Sequence, residues 1–331
     1  MDEFDFIKTY LAPLAGPEGL NLQDDAALFT PPENCDLVIT KDSLVEGVHF
    51  PKQDYSAHTA HKLLRTNLSD LAAKGAKPIG YLLSIAWPDT VDIPKTMKLF
   101  CDSFEALQES YEFKLFGGDT VRTEGPMVLS ATFIGQVPKG DMVKRSGAKP
   151  DEDIWVSGTI GDGYLGLLHV LDPDLQSGLS IKQKRTVKSA YYRPEPRLDI
   201  IDVLLKYATA SVDISDGLLA DIGHIAEASN VSIMLEFEAI PLSSAAKKWI
   251  KPDRQSRILD LISAGDDYQI GFSAPQTVRP DIEKFAKKSG LLLSKIGQVS
   301  PRSLEHPSIE LINGDGKKLD AIQSGYKHKL Y

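Results

Sequence analysis

The side chains best suited to chemistry are aspartates that recur where strands are expected to end or turns to begin. They are Asp24-Asp25, Asp42, Asp119 after Gly117-Gly118, Asp213, Asp216 before Gly217, and Asp266-Asp267. Carboxylates delivered to one cleft repel one another unless a cation sits among them, and an all-oxygen donor set suits a hard ion such as magnesium. Phosphate approaches such a cleft only when a cation bridges it to the carboxylates, so the pattern predicts phosphoryl transfer at a multi-metal site. Taken singly, each aspartate is equally at home as a turn or helix-cap residue; their shared placement is the signal.

The common nucleotide motifs are missing: there is no GxxxxGK[ST], no HRD catalytic loop and no DFG triplet. Gly161-Asp162-Gly163-Tyr164-Leu165-Gly166 matches GxGxxG, but the acid about 20 residues on that would hold a ribose is replaced by Ile181-Lys182-Gln183-Lys184. A tight strand-to-helix turn explains those glycines better than a dinucleotide site.

The elements that must position the aspartates follow from periodicity. Residues 37–40 predict a buried strand ending in Lys41-Asp42, and residues 81–87 predict another. Between them Ala60, Leu63, Leu64, Leu68, Leu71 and Ala72 repeat at helical spacing, which puts Asn67 and Asp70 on one edge of a helix that stops at Lys74, Gly75 and Pro78. A second helix opens at Pro94 and runs to Tyr111, followed by strands at 113–116 and 127–137. The polar connection 138–153, which carries Arg145-Ser146-Gly147, is the expected boundary between domains at 1–140 and 150–331.

The second half repeats the α/β alternation. Strands are expected at 154–157, 210–214, 231–237 and 291–299, and helices near 163–171, 198–205, 218–226 and 282–288. A hairpin turn is expected at Asn313-Gly314-Asp315-Gly316.

Composition narrows the partners. The chain has 331 residues, 42% hydrophobic and 25% charged, as in a soluble globular protein of two domains. Its 37 basic residues face 46 acidic ones, a net charge of -9 with no basic stripe, which argues against nucleic acid. Cys35 and Cys101 form no CxxC, so a reducing cytoplasm is expected. The acidic start Met1-Asp2-Glu3 is unlike a signal peptide, and the apolar run at 81–87 is too short to span a bilayer.

Six blocks in order carry a family resemblance: Asp24-Asp25-Ala26-Ala27, the run from Asp42 to Phe50, the run from Asn67 to Ala73, Gly117-Gly118-Asp119-Thr120, Arg145-Ser146-Gly147-Ala148, and Asp213-Ile214-Ser215-Asp216-Gly217-Leu218. Together they resemble the thiamine-monophosphate kinases over nearly the whole chain. That resemblance implies the aminoimidazole ribonucleotide synthetase-like fold, with two α/β domains, an N-terminal mixed sheet pairing across a homodimer, and ATP between the domains. It implies transfer of the γ-phosphoryl of ATP to thiamine monophosphate. Asp25, Asp42, Asp70, Asp119 and Asp213 would bind several magnesium ions, with Thr40 and Asp216 as further ligands. Tyr111, Gly118, Asp119, Arg145 and Ser215 would contact ATP, and Asp42, Asp119 and Arg145 would carry the transfer. His49, Asp266 and Tyr326 fall where the family contacts its substrate; an aromatic face at Tyr326 suits the permanently cationic thiazolium ring.

Departures are Leu22-Gln23 for the usual glycines, Ala264-Gly265-Asp266-Asp267 for Gly-Gly-Glu-Asp, Lys329 for a phenylalanine, and Lys41 for the threonine before Asp42. An ammonium at position 41 would either displace an ion or contact phosphate directly. Aminoimidazole ribonucleotide synthetase and selenophosphate synthetase share the aspartate scaffold; Cys35, between Asn34 and Asp36, lacks the glycine-rich setting of the latter's reactive residue. A thiamine-phosphate-binding homologue without transferase activity is the non-enzymatic alternative.

Overall fold

Residues 3–172, 174, 178–303 and 308–319 are described by the structure, a computed structural model. They form two compact units. The first takes the described residues up to Leu71 together with Ala76–Met142, and the second takes Ala72–Gly75 with the described residues from Val143 onward.

In the first unit a short helix α1 (Glu3–Phe6) and a chain of tight helical turns precede β1 (Cys35–Val45), α2 (Ala57–Ala73), β2 (Lys77–Pro88), α3 (Ile93–Tyr111), β3 (Lys114–Thr123) and β4 (Val128–Pro138). The sheet order is β1-β4-β2-β3, with β2 and β3 parallel and the other pairs antiparallel. Asp92 opens α3 by accepting a hydrogen bond from the Lys95 N–H at 3.1 Å, with Pro94 in the first turn, where its missing N–H costs nothing.

One face of this sheet is dry. Tyr81 stacks on Phe133 at 5.1 Å, with Phe104 of α3 and Phe113 packed edge-on to Tyr81, and Trp87 stacks on Phe100 of α3. The other face is largely open, so β1 alternates: Val38, Thr40, Asp42 and Leu44 turn towards the helices, while Leu37, Ile39, Lys41 and Ser43 are exposed. The expectation that Asp42 and Asp119 sit at strand ends is corrected here. Both lie inside strands, β1 continuing to Val45 and β3 to Thr123. Polar residues extend the pleat because one face meets water.

The second unit builds a seven-stranded mixed sheet from β5 (Glu152–Ser157), β6 (Ala210–Ile214), β7 (Val231–Glu236), β8 (Gln269–Pro275), β9 (Leu293–Pro301), β10 (Ile309–Ile312) and β11 (Lys318–Leu319), in the order β11-β10-β7-β9-β5-β8-β6. Helices α4 (Asp162–Leu171), α5 (Ile181–Tyr192), α6 (Ile201–Tyr207), α7 (Leu218–Ser229), α8 (Ser244–Trp249), α9 (Arg254–Ser263) and α10 (Arg279–Ser289) accompany it. Central β5 is buried on both faces: Ile154 and Val156 join the core made by α4, α7 and α9, whereas Trp155 stacks on Phe272 in the core beneath α6 and α10.

Candidate active site

In the first unit the expected site residues fall into two groups on opposite faces of one sheet. On the helix-facing side, Thr40 Oγ1 donates to Asp70 Oδ2 at 2.6 Å and the Asp42 N–H donates to Asn67 Oδ1 at 3.0 Å. Asn67 is itself buried and donates from Nδ2 to the Leu63 carbonyl, so its orientation is fixed by the helix before β1 meets it. The polar edge of α2 thus sets the position of Thr40 and Asp42.

The chain leaving β1 carries His49. Its Nδ1 accepts the Val45 N–H at 3.0 Å, which leaves the ring proton on Nε2 of the neutral imidazole. The loop is closed by Glu46, whose carboxylate accepts from the Gln53 N–H at 2.8 Å, the Met127 N–H at 2.9 Å and the Tyr55 hydroxyl at 3.1 Å.

On the other side, the segment before β1 covers part of the open face and borders a half-open cavity of about 820 Å³. Asp24, Asp25, Lys41, Gly118 and Asp119 line it, with Phe29 stacked on Phe116 at 5.8 Å along its wall. A β-carbon on Gly118 would collide with the Leu83 carbonyl of β2, so only glycine allows β3 to lie so close there. Tyr111, the last residue of α3, has the Arg65 guanidinium 5.6 Å from its ring centre.

In the second unit Asp213 is buried in β6, and the strand runs directly into Ser215-Asp216-Gly217. One oxygen, Asp221 Oδ2 in the first turn of α7, accepts the N–H groups of Ser215, Asp216 and Gly217 at 3.0, 2.9 and 3.1 Å. Burial pushes the Asp221 carboxyl up to about 7. This turn is interlocked with the next: the Asp266 N–H donates to the Ser215 carbonyl at 2.9 Å, and a side chain on Gly265 would strike the same carbonyl. Asp267 accepts the Gly161 N–H at 2.7 Å on one oxygen and the Gly163 N–H at 3.0 Å on the other; burial raises it to about 8. The GxGxxG glycines therefore receive an internal carboxylate. Arg145 is exposed on a loop tied down where the Gly147 and Ala148 N–H groups both donate to Ser229 Oγ at 3.1 Å.

Tyr326 lies outside the described residues. Among the described residues no three His, Cys, Asp or Glu side chains gather closely enough to hold an ion by themselves. Asp25 shares the cavity with Gly118 and Asp119, and Thr40 is bonded to Asp70; these are the groupings the fold makes of the expected ligands within the first unit. Sequence reasoning missed Glu46 and Asp221. The spacing of Asp221, four residues beyond Gly217 at the start of an apolar helical stripe, is the one signal that pointed to it.

Residues 23–137 match the family model described as AIR synthase related protein, N-terminal domain. These residues, which form the four-stranded sheet with α2 and α3, are thus an α/β domain of the AIR synthase-related class. A protein of Caulobacter vibrioides named thiamine-monophosphate kinase is 42% identical over 304 residues, covering 89% of this chain and 83% of its own length. The crystal structure of thiamine-monophosphate kinase from Stenotrophomonas maltophilia superposes with a TM-score of 0.79 at 35% identity, covering 90% of this chain and 91% of that one. A structure described as AaThiL complexed with AMPPCP and TMP gives 0.77 at 28% identity, covering 98% and 96%. This chain belongs to the thiamine-monophosphate kinase family.

Proposed function

We propose that the protein phosphorylates thiamine monophosphate to thiamine diphosphate at the expense of ATP. The observation that carries this reading is the likeness, over nearly the full length of both chains, to a relative complexed with AMPPCP and TMP. Gly118 and Asp119 in the cavity, Tyr111, Arg145 and Ser215 are assigned to ATP, and His49, Asp266 and Tyr326 to thiamine monophosphate. Among the described residues no helix is long and apolar enough to cross a membrane. Two cysteines without a CxxC spacing support assignment to the cytoplasm.

The donor set fits magnesium. Asp25 and Asp119 in the cavity, Thr40, Asp42 and Asp70 across the sheet, and Asp213 and Asp216 in the second unit offer only oxygen. Small groupings rather than a closed cage are what this ion takes, since it keeps much of its shell for water and substrate phosphate. When bound it offsets polyphosphate charge.

The acceptor needs no protein base. A phosphate monoester has its second pKa near 6, so its oxygen is already ionised at neutral pH. What remains for the protein is to align donor and acceptor and hold their charge, the role given to Arg145 with Asp42 and Asp119. A homodimer is proposed through the N-terminal sheet, at Leu37 and Ile39 of its open face, which do not line the cavity.

The test incubates the protein with ATP, magnesium and either thiamine monophosphate or thiamine, following thiamine diphosphate. Turnover of the monophosphate alone is expected; turnover of neither, with ATP bound, would favour a binding homologue.

A further inference from the structure

Lys41 is set by the pleat apart from its neighbours. Thr40 and Asp42 turn towards α2, so Lys41 points the other way, onto the open face and into the cavity that holds Asp24, Asp25 and Asp119. It does not crowd the Thr40–Asp70 pair on the other face. Among the described residues that line the cavity, it carries the sole positive charge against three carboxylates. In register it stands opposite Thr132, Thr132 opposite Leu82, and Leu82 opposite Gly117, two residues before Asp119 on the same face. Three inter-strand steps at about 4.8 Å put these backbones roughly 14 Å apart, too far for Lys41 and Asp119 to pair with each other. Among the described residues no hydrogen bond or ion pair engages the ammonium.

We propose that Lys41 is a nucleotide-binding residue: its ammonium contacts the polyphosphate of ATP in this cavity and supplies, from the protein itself, part of the positive charge that divalent cations would otherwise bring. The inference rests on the reading of the chain as an ATP-using kinase and adds a ligand contact to that site. A lysine is a compact cation with three donors on a flexible stem, suited to phosphate as a point charge. Its effect should therefore be largest where magnesium is scarce.

The experiment titrates wild type, Lys41→Met and Lys41→Arg with ATP and with adenosine by calorimetry, in EDTA and across a series of magnesium concentrations. The methionine variant is expected to bind ATP about tenfold more weakly at low magnesium, with the deficit shrinking as magnesium saturates. Lys41→Arg should keep most of the affinity, and adenosine, which lacks phosphate, should bind all three proteins alike. Equal ATP affinity of Lys41→Met and wild type at every magnesium concentration would overturn the proposal, as would a parallel loss of adenosine binding, which marks a packing defect. Thiamine monophosphate turnover by the wild type is measured alongside. Its absence would sink the kinase reading while the ATP titrations still decide Lys41; its presence with unchanged titrations would sink Lys41 alone.

Discussion

Asp42 and Asp221 are fixed in opposite ways, one through its own backbone N–H and the other through its side-chain oxygen. Asp42 has its main chain fixed by Asn67, so changing its side chain leaves the anchoring bond in place. Asp42→Asn is expected to fold with an unchanged melting temperature and to lose turnover by at least about a hundredfold, because a proposed magnesium ligand loses its charge. Near-normal turnover in that variant would contradict its place in the transfer.

Asp221 uses a single oxygen for all three N–H groups, so an amide can reproduce every bond without the buried charge. Its carboxyl ordinarily titrates at 3.8 and is raised to about 7 in the fold, chiefly by burial. The native state therefore keeps a proton that the unfolded chain releases, and the stability this contributes is full below pH 4 and lost as pH rises towards 7. Asp221→Asn should flatten that part of the curve and be more stable than wild type at pH 8. The gain should be a few kcal/mol at most, at about 1.4 kcal/mol per pKa unit. Melting curves from pH 4 to 8.5 check this; parallel profiles for the two proteins would refute it. Asp267 makes the contrast, since it uses both oxygens and an amide NH2 would face one of its N–H donors.

Among the elements, the loop from β1 to α2 depends most on one side chain. Glu46 gathers the Gln53 and Met127 N–H groups and the Tyr55 hydroxyl, and so fixes the path that carries His49. Removing it leaves those donors to water and frees the loop, a cost of about 1–3 kcal/mol if they stay buried. Glu46→Ala is expected to raise the KM for thiamine monophosphate about tenfold and to leave that for ATP nearly unchanged. Steady-state kinetics with each substrate varied separately would show it, and an equal rise in both would mean that the loop serves the fold rather than the substrate. Elements whose apolar residues keep a clean period, such as α2, α3, β2 and β6, were legible from the sequence. Helix α5 was not, because its stretch Ile181–Tyr192 is mostly Lys, Gln, Arg, Ser and Thr, and what starts it is the Ser180–Gln183 capping box rather than an apolar stripe. The reach of β1 past Thr40 was missed for a related reason: Lys41-Asp42-Ser43 alternates by exposure, not by hydrophobicity. The aspartates were legible as a set, but their division between two faces of a sheet follows from strand register, which periodicity alone does not fix.

For the molecule as a whole, the open face of the four-stranded sheet poses the remaining physical question. Leu37 is 40% exposed and Ile39 66% exposed on β1, an edge strand of that sheet, and neither lines the cavity. Two branched apolar side chains side by side on the solvent-facing side of one strand are costly to leave in water, at about 25 cal/mol per Å² of apolar surface. A second copy of the same face covers them with the same chemistry, and a two-fold axis makes each residue meet a patch like its own. The proposed homodimer therefore predicts that Ile39→Glu, which introduces two like charges into the apolar contact, converts the protein from a species of twice 36.3 kDa to one of 36.3 kDa in sedimentation equilibrium. The substitution lies on the exposed side of β1, away from the helix-packed core, so the monomer should keep its secondary structure by circular dichroism. A wild type that already sediments at the single-chain mass would rule out this face as a dimer contact, and a variant that remains dimeric would move the contact elsewhere on the molecule.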